Sequence, residues 1–147
     1  MKKRILSLIL LVVILGSFVI STFAVTTDNG GIMPRYNNTA STSTNFVIST
    51  AGKATITAIF NGNQGITTGA TITSYIEKRT LGIFWSRVDI GQPNNEWVDT
   101  TTDYVGAFGH EFWLEKTGTY RATVTYEIRG TGGPADIVNY QQERTYS

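Results

Sequence analysis

The chain has 147 residues, 41% of them hydrophobic and 16% charged, which suits one globular domain and excludes a mainly disordered chain. It contains no cysteine, which excludes a disulfide scaffold, a thiolate metal site and a lipid anchor attached at a cleavage-site cysteine. The formal charge of +1 owes its sign to Lys2, Lys3 and Arg4; without them nine basic side chains face eleven acidic ones, and nucleic-acid binding loses its electrostatic basis.

Met1 to Arg4 is a positive n-region, Ile5 to Ile20 an almost unbroken apolar run, and Ser21-Thr22-Phe23-Ala24 closes it with small residues at Thr22 and Ala24. This pattern predicts a secretory signal over residues 1–24, cleaved after Ala24. A retained membrane anchor is the competing reading, but a run interrupted by Ser7 and Gly16 falls short of the roughly 20 residues that span a bilayer, so no stable membrane anchor is expected after cleavage. Residues 25–44, rich in Thr, Asn, Ser and Gly without periodicity, read as a flexible leader to a β-sandwich domain over residues 45–147.

Alternation then begins. Phe46 and Ile48 share a face, Ala51-Gly52 turns the chain, and Ala54, Ile56, Ala58 and Phe60 share the next. Asn61 to Gly69 is a loop by its glycines and asparagines. Ala70, Ile72, Ser74 and Ile76 then point inward; a turn near Thr80 to Gly82 leads into IFWSRVDI. Gly91 to Gly106 reads as a long connection with a short strand around Trp97, and His110, Phe112 and Leu114 share one face of the strand that follows. KTGTYRATVTYEIRG is the longest strand, with Tyr120, Ala122, Val124, Tyr126 and Ile128 alternating against Thr119, Arg121, Thr123, Thr125 and Glu127. After the turn Gly130 to Pro134, ADIVNYQQER is the last. Seven to eight short strands and no helical period predict an all-β, antiparallel, immunoglobulin-like sandwich behind a signal-peptide helix.

LEKTGTYRATV, Leu114 to Val124, resembles the corner of immunoglobulin-like domains, where a tyrosine at the start of a strand hydrogen-bonds to the chain just upstream. Ala122 stands where antibody domains have a cysteine. PRYNNT at 34–39, GATITSYIEKRTLGIFW at 69–85, GQPNNEWVDT at 91–100 and GTYRATVTYEIRG at 118–130 together resemble a family of small secreted proteins from Gram-positive bacteria, classed as a domain of unknown function. The resemblance implies export and a shared fold, and brings no catalytic or binding residues with it.

Candidate chemistry is sparse. His110 is the single histidine, so a site with two imidazoles cannot form within one chain, and its parity with Phe112 and Leu114 predicts a half-buried structural role. Glu111 and Glu115, with Glu96, Asp99 and Asp103 in a loop, could supply the paired carboxylates of a small hydrolase, but outward acids on a sheet are usually solvated surface. DTTTD, Asp99 to Asp103, lacks the dense ligand spacing of a calcium loop. GTGGP opens no helix that would bind phosphate, and Asn37-Asn38-Thr39 matches a glycosylation acceptor of little weight in a bacterial protein. The rings of Trp85, Trp97 and Trp113 are the candidate binding residues, since aromatic side chains bordered by polar groups stack on sugars or meet protein partners. Against this stands cross-strand packing: Phe84, Val88 and Ile90 would fill the core, Trp85 would cap its edge, and Trp113 would lie on neighbouring stems.

The reading expected from sequence is a secreted, non-catalytic binding or structural module with no cofactor or metal, whose partner is a cell-wall glycan or surface protein and not nucleic acid. The alternatives are the carboxylate hydrolase and a bacteriocin-like antagonist, the latter opposed by the absence of a basic amphipathic segment.

Overall fold

The computed structural model describes residues 36–147; the signal sequence over residues 1–24, its cleavage after Ala24 and the leader as far as residue 35 lie outside them. The described chain forms eight strands: β1 Thr39–Ile48, β2 Lys53–Gly62, β3 Thr67–Thr80, β4 Phe84–Arg87, β5 Trp97–Thr101, β6 Val105–Trp113, β7 Gly118–Gly130 and β8 Asp136–Tyr146. They build two antiparallel sheets, β1-β2-β6 and β4-β3-β7-β8, with β4 and β5 sharing one edge of β3. The hairpin β1–β2 sits in the first sheet, the chain crosses to the second for β3, β4 and β5, returns beside β2 as β6, and crosses again to β7 and β8. This is the Greek-key, two-sheet connectivity of an immunoglobulin-like sandwich.

The core follows from the period of two. Phe46, Ala54, Ile56, Ala58 and Phe60 face inward from one sheet and Ala70, Ile72, Ile76, Tyr120, Ala122, Val124, Tyr126, Ile128 and Val138 from the other, all buried. The expected corner is present: the Tyr120 hydroxyl donates to the carbonyl of Lys116. Tyr126, fully buried, donates to the Ser43 carbonyl at 2.7 Å and so ties the two sheets together.

Three expectations need correction. Thr39–Thr44, assigned to a leader, are the first six residues of β1, so the sandwich does not begin at residue 45. IFWSRVDI is a strand only over Phe84–Arg87. Phe84 does not fill the core either: it lies opposite Thr80, past the last rung that β3 shares with β7, where no second sheet covers it.

The start of β1 is fixed by buried polar groups, which polar composition disguises as flexibility. Asp136 accepts from the backbone N–H groups of Asn37 at 3.1 Å and Asn38 at 2.8 Å and from the Thr39 hydroxyl at 2.9 Å. Asn38, fully buried, donates from its side chain to the Pro134 carbonyl at 2.9 Å and accepts from the Gly132 N–H at 3.2 Å. Its own carbonyl accepts from the Thr67 hydroxyl and from the Asn63 N–H. Gly130 is required beside this knot, because a Cβ there would come to 2.5 Å of the Asn38 side-chain oxygen. Burial would raise the Asp136 pKa, but the four hydrogen bonds from Asn38, Thr39 and Asn37 outweigh it and hold the carboxyl below its ordinary value.

Candidate functional site

Strand pairing sends the three tryptophans to three environments. Trp97 opens β5 opposite Ser74, a buried position of β3, and therefore points into the sandwich. Its ring stacks on His110 at 5.0 Å between centroids, within 5° of parallel, and packs on the core. Expected as an outward ring in a loop, Trp97 is instead a structural residue: the same parity that turns Ala70, Ile72 and Ser74 inward carries across the β3–β5 ladder.

Trp85 does lie on an outer face, opposite Arg79, but both sides of its surroundings are occupied. The Arg79 guanidinium lies 4.7 Å and that of Arg121 4.3 Å from the ring centroid. Arg121 is held in turn by Glu77 at 2.7 Å, and Arg79 by Glu143 at 3.1 Å. This ladder continues to Arg87 over the Tyr75 ring at 3.7 Å, with Glu96 bound to Arg87. Trp85 thus has the cross-strand packing role weighed above, with cation–π contacts supplying the covering.

Trp113 is the ring left open, 62% exposed on the outer face of β6. It shares an end of the sandwich with the β3–β4 turn, where Leu81 is 90%, Ile83 71% and Phe84 58% exposed. The ladders place these features together: β3 runs up to that turn, β7 starts and β8 finishes at the same end, and the Leu114 N–H bonds to the Gly52 carbonyl, whose residue packs against Tyr146. Leu81 and Ile83 escape a periodicity reading because they sit in the turn, where alternation carries no information. The visible signal was the run of bulky apolar residues GIFW beside a glycine.

The titratable groups are dispersed. His110 is half-buried on the inner face of β6, as its parity predicts, and its Nε2 lies 2.7 Å from Asp99 Oδ2. Asp99 is the partner that sequence spacing did not reveal; its parity with Trp97 on β5 was the available sign. The pair bridges the two sheets beneath the Trp97 ring. Ser74 Oγ, also inward, has no hydrogen-bond partner and is sealed from solvent, so it is not a nucleophile within reach of substrate. Glu111 faces outward and binds Lys53 at 2.9 Å, Asp99 faces inward, Glu96 binds Arg87, and Asp103 sits by Thr101. The β6 strand itself separates Glu111 from Asp99, so this carboxylate pair does not share a cleft. Among the described residues no group of three or more His, Asp or Glu is placed to hold a metal ion.

Comparison with known proteins finds no matching family model, no matching curated protein and no matching solved structure.

Proposed function

We propose that the chain is an exported, non-catalytic binding or structural module of the cell surface, released by cleavage after Ala24 and akin to the secreted Gram-positive proteins that its segments resemble. The observation that carries the reading is the end of the sandwich at which Trp113, Leu81, Ile83 and Phe84 all stand in solvent. Clustered exposed apolar side chains on a well-packed domain mark an interaction surface more often than chance. A β-sandwich suits the role because its strands hold end loops rigidly while its two sheets bury the core without them.

The test is retention of the purified protein on cell walls and on exported surface proteins, with Trp113→Ala and Leu81→Asn/Phe84→Thr as the altered forms. Loss of retention in these exposed-residue variants, with unfolding midpoints no lower than the parent's, supports a binding module and maps its surface. Trp97→Ala serves as the contrast: its ring packs on the core, so it should lower stability. Failure of the unaltered protein to be retained on cell walls, on exported surface proteins and on membrane vesicles alike would overturn the binding reading.

A further inference from the structure

The β3–β4 hairpin projects beyond its own sheet. β3 pairs with β7 as far as Lys78 opposite Tyr120, whereas its pairing with β4 continues through Arg79 opposite Trp85 and Thr80 opposite Phe84. Leu81, Gly82 and Ile83 close the hairpin past that point, with the Ile83 N–H donating to the Thr80 carbonyl at 3.2 Å. Both central residues have positive φ, 51° at Leu81 and 74° at Gly82, the mirror-image turn that Asn-Gly or Gly-Gly normally supplies. A leucine in the left-handed region is sterically strained, and this one packs against almost nothing. Neither local conformation nor core formation selects leucine here, which points to a task outside folding.

The charge distribution gives that task a direction. Of the eight basic residues at positions 36–147, seven lie in the half of the sandwich that carries the tip: Lys53, Lys78, Arg79, Arg87, Lys116, Arg121 and Arg144. Six acidic residues share that half, Glu77, Asp89, Glu96, Glu111, Glu115 and Glu143, leaving it at net +1, whereas Asp99, Asp103, Glu127 and Asp136 lie towards the other end with Arg129, at net −3. Lys53, Arg79, Arg87 and Arg121 have carboxylate partners, while Lys78, Lys116 and Arg144 have none among the described residues. The three free cations come from β3, the β6–β7 turn and β8, spread around the end of the domain.

We propose that the Leu81–Phe84 tip docks this domain on an anionic lipid bilayer, inserting its apolar side chains at the interface while Lys78, Lys116 and Arg144 meet the headgroups. The inference rests on the binding-module reading and names the partner of the same surface. A convex apolar tip enters a soft interface without a complementary cavity, and the Thr80–Ile83 turn bond accompanies it internally. Cations spread over several elements match a diffuse field of headgroup charge better than one acidic pocket. The side chains of Ile83 and Phe84 supply the buried apolar surface, and the long stems of Lys and Arg let the charges stay at headgroup level.

The absence of cysteine makes a site-specific test clean. Single Ile83→Cys and Tyr104→Cys forms of the full chain, one at the tip and one in the β5–β6 turn at the far end, are labelled with an environment-sensitive fluorophore. On phosphatidylglycerol-containing vesicles the label at 83 should brighten and shift to the blue while the label at 104 does not. At least tenfold more lipid should be needed with phosphatidylcholine alone, or after adding Leu81→Asn and Phe84→Thr, both exposed positions that leave the core intact. A silent label at 83, or an equal response at both positions, overturns the proposal even if the chain sediments with vesicles through another segment. A label at 83 that ignores lipid but responds to purified wall glycan or surface protein overturns the lipid assignment and leaves the binding module standing. Silence towards all three removes both.

Discussion

Replacing Asp136 by Asn tests whether a buried anion fastens the first strand. The carboxylate accepts from Asn37 N–H, Asn38 N–H and the Thr39 hydroxyl, all within 3.1 Å, and is itself buried. An amide has the same shape but one acceptor oxygen, so its NH2 must face at least one N–H donor. Hydrogen bonds to a charged group contribute about 1.5–3 kcal/mol each, and because these three share one group their loss is not additive. A net loss of about 3 kcal/mol at neutral pH is the expected magnitude. For a urea m-value of about 1.5 kcal/mol/M this moves the unfolding midpoint down by about 2 M, readable by tryptophan fluorescence. The acid limb gives a second readout. Because the folded-state pKa of Asp136 lies below its ordinary value of 3.8, the stabilisation is present above that value and is lost as pH falls through the folded-state pKa. The Asn variant should lack that part of the acid dependence. A variant as stable as the parent at pH 7, with the same acid limb, would refute the assignment of the clamp to the charge.

Three further outcomes follow from other buried or strained groups. Ser74→Ala should raise stability by about 1 kcal/mol, since it removes a sealed hydroxyl without a partner; a lower urea midpoint would show that the oxygen is bonded after all. Leu81→Asn should stabilise the chain by about 0.5–1 kcal/mol by relieving the left-handed leucine, seen as a small rise in melting temperature; an unchanged or lower value would remove the strain argument. Burial raises the pKa of Tyr36, Tyr120 and Tyr126 above 10.0, so stability should be full below that value and fall as pH rises through the folded-state values, with a shallower alkaline limb in Tyr126→Phe.

The sandwich was legible in the sequence because alternation states the inner face of a strand directly. Tyr120, Ala122, Val124, Tyr126 and Ile128 are buried as their spacing implies, and His110 follows Phe112 into the interior. What failed was what alternation does not encode. Asn37-Asn38-Thr39 looks like loop composition because its role is to satisfy buried hydrogen bonds with Asp136, about a hundred positions away. Trp97 looked exposed because its neighbours Asn94 and Asn95 are turn residues, although the strand parity of WVDTT puts it with Asp99 on the inner face. The candidate tryptophans were separable only once β4 and β5 were known to share one edge of β3, a pairing set by tertiary packing. Exposure of Leu81 was unreadable for the opposite reason: a leucine is expected to be buried, and this one stands in solvent because its turn lies past the last rung that β3 shares with β7.

The two ends of the sandwich solve different problems. β1 is an edge strand, and a chain without cysteine cannot pin such a strand with a disulfide; buried polar bonds from Asp136 and Asn38 do so instead. With the strand fixed there, the opposite end is free to carry an apolar tip that contributes nothing to the core. This separation makes a quantitative claim. β7 spans 13 residues, so at about 3.3 Å per residue the clamp and the tip stand on the order of 40 Å apart. Sites so far apart without shared partners add to within about 0.5 kcal/mol. The stability change of the Asp136→Asn/Leu81→Asn double variant should therefore equal the sum of the two single changes, measured by urea unfolding. A larger deviation would mean that the β3–β7 ladder transmits strain between the ends, and the tip could then not be treated as an appendage that the fold merely holds out to its partner.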